Sequence, residues 1–137
     1  MRLVMRPREF DVIVTTNLFG DILSDEAAGL VGGLGLAAGL NAGDTHAMAQ
    51  AVHGSAPDLG ASNVANPLAE ILSGALLLDW LGRRHGDAAA TMAGTRIERA
   101  VTDVLARGAV RTRDLGGEAT TRDMGTAVLA AFEGIVV

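Results

Sequence analysis

Two carboxylates four residues apart, Asp21 and Asp25, stand in the stretch Asn17-Leu18-Phe19-Gly20-Asp21-Ile22-Leu23-Ser24-Asp25. On a helix that spacing sends both side chains from one face. Oxygen-only ligands so placed suit a hard cation such as Mg²⁺ or Mn²⁺, which takes one or two carboxylates and fills its shell with water and substrate. Acids at a helix start also complement the helix dipole, a contribution of about 0.3–1 kcal/mol. Spacing alone leaves both readings open. A second group runs Val52-His53-Gly54-Ser55-Ala56-Pro57-Asp58 and closes at Ala65-Asn66-Pro67. A loop of small residues feeding a capped helix offers backbone N–H groups to a phosphate or an adenine edge. Asp58 has the chemistry to accept hydrogen bonds from a ribose diol. Neither the G-x-G-x-x-G fingerprint nor a P-loop is present. The plainer alternative is a tight surface turn with a satisfied His53. His46 and His85 have no partner at metal-ligand spacing, and Arg83-Arg84 reads as a charge pair at a helix C-terminus.

Composition removes other chemistries. The 137 residues carry 11 basic and 16 acidic side chains, a net charge of −5, and every basic one is Arg. Lys, Tyr and Cys are absent. There is therefore no Schiff-base Lys, no Tyr acid, no thiol nucleophile, no disulfide and no Cys-bound zinc. An acidic chain with one Trp and three Phe lacks both the basic stripe and the stacking platform of a nucleic-acid binder. The longest run without a polar side chain, Ala27 to Leu40, is 14 residues and contains five glycines. A bilayer span takes about 20 residues, so no membrane segment is expected. The opening Met1-Arg2-Leu3-Val4-Met5-Arg6 runs into Pro7 and shows no signal peptide, which points to a cytoplasmic domain. Hydrophobic residues make up 49% of the chain, enough to suggest surface that something else covers.

The elements that must position these groups read as α/β. Met1 to Arg6 is expected to be a helix end closed by Pro7. Asp11-Val12-Ile13-Val14-Thr15, short and β-branched, reads as a buried strand. Asn17 to Gly20 is expected to turn the chain, with a helix from Asp21 to about Leu30 that dissolves near Gly32-Gly33. His46 to Val52 reads as a second strand, and His53 to Asn66 as a long loop, a length at which loops usually carry function. Asn66-Pro67 starts a helix predicted to run to Leu81 and stop at Gly82. Further helices are predicted over Thr91–Arg107, ended by Gly108, and over Met124–Phe132, with Thr120 and Asp123 as a capping box.

The segment from Phe10 to Asp25, Gly32-Gly33-Leu34-Gly35-Leu36, His53-Gly54-Ser55-Ala56-Pro57-Asp58 and Ala65-Asn66-Pro67 resemble, in order and spacing, the β-decarboxylating dehydrogenases. That family includes 3-isopropylmalate, isocitrate, homoisocitrate and tartrate dehydrogenases. Asp114-Leu115-Gly116-Gly117 with Thr120-Thr121 looks like its C-terminal stretch, so the likeness covers nearly the whole chain. The resemblance implies residues 1–137 as a single C-terminal segment of the isocitrate/isopropylmalate dehydrogenase-like fold, a partial mixed sheet packed by helices. It implies NAD- and metal-dependent oxidation of a 2-hydroxy acid followed by loss of the β-carboxylate. In the family the acids matching Asp21 and Asp25 hold Mg²⁺ or Mn²⁺. The residues matching His53, Gly54, Ser55, Ala56, Asp58 and Asn66 cradle the adenosine half of the cofactor. An Asp at position 58 resembles the NAD-using members, because a carboxylate repels the 2′-phosphate of NADP.

The chain departs from the pattern at Gln50, where the family usually has Glu, at Gly60-Ala61-Ser62-Asn63, often a Lys-containing loop, and at Ala38, a frequent Pro. Family enzymes are more than twice as long. Their substrate-binding arginines, proton-moving Tyr and Lys, and a further metal-ligating Asp lie upstream of the matched region. No catalytic residue is therefore assigned here, and the chain alone is expected to be inactive. The partners expected are a 2-hydroxy acid substrate and either a second copy or the missing N-terminal portion. The alternative is a catalytically inactive truncated homologue that serves as a binding or interaction module.

Overall fold

The computed structural model describes residues 1–135. A short helix α1 (Arg2–Met5) and a 3₁₀ turn (Pro7–Glu9) precede α2 (Asn17–Leu30). A second 3₁₀ turn (Leu34–Leu36) leads into β1 (Ala38–Ala42) and β2 (Ala47–Ala51), and then come α3 (Leu68–His85), α4 (Ala88–Arg107) and α5 (Thr121–Gly134). The strands form an antiparallel hairpin, with Ala38 opposite Ala51 and Ala42 opposite Ala47. α3 lies against it through two side chains. Ser73 Oγ accepts from the Gly39 N–H at 3.1 Å, and Glu70 Oε2 accepts from the Ala51 N–H at 2.9 Å.

The core is the junction of α3, α4 and α5. Leu68, Ala100, Val101, Val104, Met124 and Val128 are buried there, with Leu36, Leu72, Leu115 and Phe132 packed around them. The apolar spacing on each helix accounts for this: residues three and four apart share one face. On α4 that face is Ala100, Val101 and Val104, which present one stripe inward. No helix among the described residues is long and apolar enough to cross a membrane.

Five features differ from the sequence expectations. Residues 11–15 are not a strand among the described elements, and Val12 and Val14 stand 80% and 93% exposed. A β-branched run becomes a strand only when a neighbour takes its hydrogen bonds, and here none does. α2 begins at Asn17 rather than Asp21, so the expected turn is helical. α3 runs past Gly82 to His85 and is closed by Gly86 at φ +68°. Gly82 is there for close approach: a Cβ would lie 2.6 Å from the Thr91 nitrogen and 2.7 Å from the Asp87 carbonyl oxygen, at the start of α4. α4 begins at Ala88 because Asp87 caps it, its Oδ1 accepting from the N–H groups of Ala89 and Ala90 at 2.9 and 3.2 Å. Ala38–Ala42, not expected as a strand, is held as one by β2 and Ser73.

Candidate cofactor cavity and metal-ligating helix

The loop between β2 and α3 is shaped by its own backbone and tied down at its C-terminal end by α5. Ala56 adopts left-handed φ +40°, rare for a side chain with a Cβ, and starts the 3₁₀ turn Pro57–Leu59. Ahead of it, His53 Nδ1 lies 2.9 Å from the Gly54 carbonyl oxygen. A carbonyl only accepts, so Nδ1 is the donor in this contact. Further on, Asn63 accepts from the first turn of α5: its carbonyl from Thr121 N–H at 3.0 Å and its Oδ1 from Arg122 N–H at 3.3 Å. Thr121 Oγ1 also donates to the Ala65 carbonyl at 2.5 Å. The N-terminus of α5 thus holds the end of the loop.

Asn66 closes it. Its Oδ1 accepts from the Leu68 N–H at 3.0 Å, and its Nδ2 donates to Asp114 Oδ2 at 2.9 Å. The N-cap position falls on Pro67, one residue later than expected, with Leu68 the first helical residue, and the Asn66 side chain reaches past it to satisfy the first N–H of the helix. Asp114 is in turn bonded through Oδ1 to the Thr112 hydroxyl at 2.5 Å, and Thr112 is fully buried.

These segments enclose an open cavity of about 700 Å³. Of the six residues expected to hold a cofactor, His53, Gly54, Ser55, Ala56 and Asn66 line it. Asp58 does not; it is exposed in the adjacent 3₁₀ turn. Leu34, Gly35, Arg113 and Asp114 line it too and were not assigned from the sequence. Asp114 lies 48 residues from Asn66, so no local spacing connects the two, and the contact arises only when the 112–117 turn packs beside α3. Its one sequence signal was the Asp-Leu-Gly-Gly turn itself. The cavity volume falls in the 300–1,000 Å³ range of small-molecule sites.

Asp21 and Asp25 are brought together elsewhere. They lie one turn apart on α2, both exposed, and neither lines the cavity. Because the helix starts at Asn17, neither acid is in its first turn, which removes the capping explanation. The ion pairs among the described residues are Arg2–Glu9, Arg6–Glu9 and Arg83–Asp79, so no cation neutralises either one. Two free carboxylate side chains on one helix face match a hard cation in donor type but not in number. Among the described residues no group of three His, Cys, Asp or Glu is assembled to hold a metal. Water, substrate or another chain segment would have to complete the shell. Beyond α2 the chain turns through Gly32-Gly33 into Leu34 and Gly35, which form part of the cavity wall.

The family model described as isocitrate/isopropylmalate dehydrogenase matches residues 1–128. Isocitrate/homoisocitrate dehydrogenase of Thermus thermophilus is 57% identical over 135 residues, 98% of this chain and 38% of that protein. 3-Isopropylmalate dehydrogenase of Zymomonas mobilis is 53% identical over 134 residues, 96% of this chain and 36% of that one. The crystal structure of isocitrate dehydrogenase from Methylococcus capsulatus superposes with a TM-score of 0.85 at 48% identity, covering 96% of this chain and 37% of the other. The chain spans about two-fifths of the length of the curated relatives it matches. With a family model matched over 128 of 137 residues and the fold shared with a solved isocitrate dehydrogenase at 48% identity, the chain belongs to the isocitrate/isopropylmalate dehydrogenase family.

Proposed function

We propose that this chain supplies the adenosine-binding cavity and two metal-ligating carboxylates of an NAD- and divalent-metal-dependent dehydrogenase that oxidatively decarboxylates a 2-hydroxy acid of the isopropylmalate or isocitrate type. The observation that carries the reading is a cavity lined by five of the six residues assigned to the cofactor. When bound, NAD supplies a hydride acceptor and the metal ion supplies Lewis acidity at the substrate oxygens. The chain's own residues bind and orient. Ser55 and the backbone around Gly54 offer donors to the sugar–phosphate part, while His53 Nε2 and Asn66 offer polar groups to the base. Asp58, exposed in the 3₁₀ turn beside the cavity, disfavours a 2′-phosphate. Asp21 and Asp25 offer oxygen ligands on one face of α2.

A second observation bears on the cofactor. Arg113 is the one Arg on the cavity wall, and a guanidinium is a phosphate-binding group. It serves the pyrophosphate in the NAD reading and the 2′-phosphate in an NADP reading. Calorimetric titration of the chain with each dinucleotide separates the two. NAD binding more tightly than NADP, with the difference erased in Asp58→Ala, is the expected result. Tighter NADP binding, weakened by Arg113→Ala, would overturn the assignment.

With neither Tyr nor Lys, the chain holds no counterpart of the proton carriers expected from the family resemblance. It is proposed to act with a second copy of itself or with a polypeptide equivalent to the remaining length of its relatives. The exposed apolar residues Val12, Val14, Leu18, Phe19 and Ile22 support such a partner.

A further inference from the structure

We propose that Asp114 and Gly35 are positioning residues that lock the Asn66 amide in one orientation, and that this orientation makes the cavity select adenine over hypoxanthine. The inference rests on the adenosine reading of the cavity given above. Asn66 is 8% exposed, and both ends of its amide are committed. Oδ1 accepts from a backbone N–H, which only donates, and Nδ2 donates to a carboxylate, which only accepts. Reversing the amide would set N–H against N–H and oxygen against oxygen, so one orientation is enforced. One Nδ2 proton and one Oδ1 lone pair are left over on a residue that lines the cavity.

A donor beside an acceptor matches the N7 and N6–H₂ groups of adenine. Hypoxanthine presents two acceptors on that edge and mismatches the pair. Bidentate amide–base contacts discriminate by roughly ten- to a hundredfold.

Asp114 holds this arrangement from one side. Its other oxygen is occupied by the hydroxyl of fully buried Thr112, whose carbonyl accepts from the N–H groups of Leu115 and Gly117 at 3.0 and 2.9 Å. The carboxylate therefore sits on a fixed turn rather than on a free side chain. Gly35 holds it from the other. A Cβ at position 35 would fall 2.5 Å from Asp114 Oδ2, 2.9 Å from Asn66 Cβ and 3.0 Å from Asn66 Nδ2. Any larger residue there would displace both members of the pair. Three segments distant in sequence thus converge on one amide.

The test is the ratio of dissociation constants for NAD and its hypoxanthine analogue, measured by calorimetry on the 137-residue chain. The wild type is expected to favour NAD by about tenfold or more. Asp114→Ala should bring the ratio close to one while far-ultraviolet circular dichroism stays unchanged. Asp114→Asn should restore it, because its oxygen still accepts from Asn66 and Thr112 can accept from its amide. Gly35→Ala displaces the same pair without substituting either member and should also collapse the ratio. An Asp114→Ala variant that binds more weakly but keeps the wild-type ratio would overturn the inference and leave Asp114 as structural support. Equal affinity of the wild type for both dinucleotides would overturn base selection while leaving the adenosine reading standing. No binding of either would overturn both.

Discussion

At the scale of residues, the cation proposal depends on where α2 starts. Had the helix begun at Asp21, that acid would sit at the positive end of the dipole and need no ligand. It begins at Asn17, leaving Asp21 in the second turn and Asp25 in the third, without an ion-pair partner among the described residues. Replacing both with Asn should abolish Mn²⁺-dependent thermal stabilisation at millimolar metal. With only two protein ligands the affinity is weak, so the expected wild-type shift is small, at most about 1–3 kcal/mol by mass action at saturating metal. Identical melting of wild type and double variant across the metal series would return the pair to an ordinary solvated role. The groupings made by local spacing, Asp21 with Asp25 on one helix face and the His53–Ala56 loop, were legible in the sequence. Asp114 and Gly35 were not, because their part depends on contacts 48 and 31 residues away from Asn66 in the chain.

At the scale of elements, the helical half of the fold was readable because its signals are local. The Asn66 side chain satisfies the first N–H of α3, Gly108 at φ +62° ends α4, and Thr120 with Asp123 makes the full capping box of α5. The strand expected at 11–15 was misread for the opposite reason: pairing is a property of two segments, and the run has no partner among the described residues. Gly82 was misread as a stop because a glycine required for close packing looks the same as one required for a turn. Gly82→Ala should destabilise the chain by about 1–3 kcal/mol through overpacking against Asp87 and Thr91, read as a lower denaturant midpoint. The capping box makes a pH prediction. The hydrogen bond from the Thr120 hydroxyl, then that from its backbone N–H, holds the Asp123 carboxyl below the ordinary aspartate value. A depressed folded value means that stability is present above the unfolded pKa, near 3.9, and is lost as pH falls through the folded one. α5 also anchors Asn63 and Ala65, so acid should loosen the cavity loop with the helix. Asp123→Asn should flatten that acid limb in a pH series of thermal melts; an unchanged limb would mean another carboxylate sets it.

At the scale of the whole molecule, a packed three-helix core stands beside a segment that buries little. Leu18 and Phe19 are 67% and 60% exposed on α2, and the chain matches only about two-fifths of its relatives' length. Purified alone, it should self-associate through this face, and Phe19→Glu should shift the species seen by analytical ultracentrifugation toward monomer. A monomer at all concentrations would remove the apolar face as an association surface. The chain alone should form no NADH from isopropylmalate, isocitrate or tartrate with NAD and Mn²⁺. It lacks Tyr and Lys, and losing a general acid–base costs about 10²–10⁴-fold before any loss of substrate positioning is counted.

The most direct test of the central claim, that one chain carries both the adenosine cavity and the metal-ligating helix face, is amide NMR of the isotopically labelled protein titrated first with NAD and then with trace Mn²⁺. NAD shifts are expected to centre on His53 to Ala56, Asn66, Arg113 and Asp114, followed by paramagnetic broadening centred on Asp21 and Asp25. Shifts that avoid the cavity, or broadening centred on other acids such as Asp79 and Glu98, would contradict it.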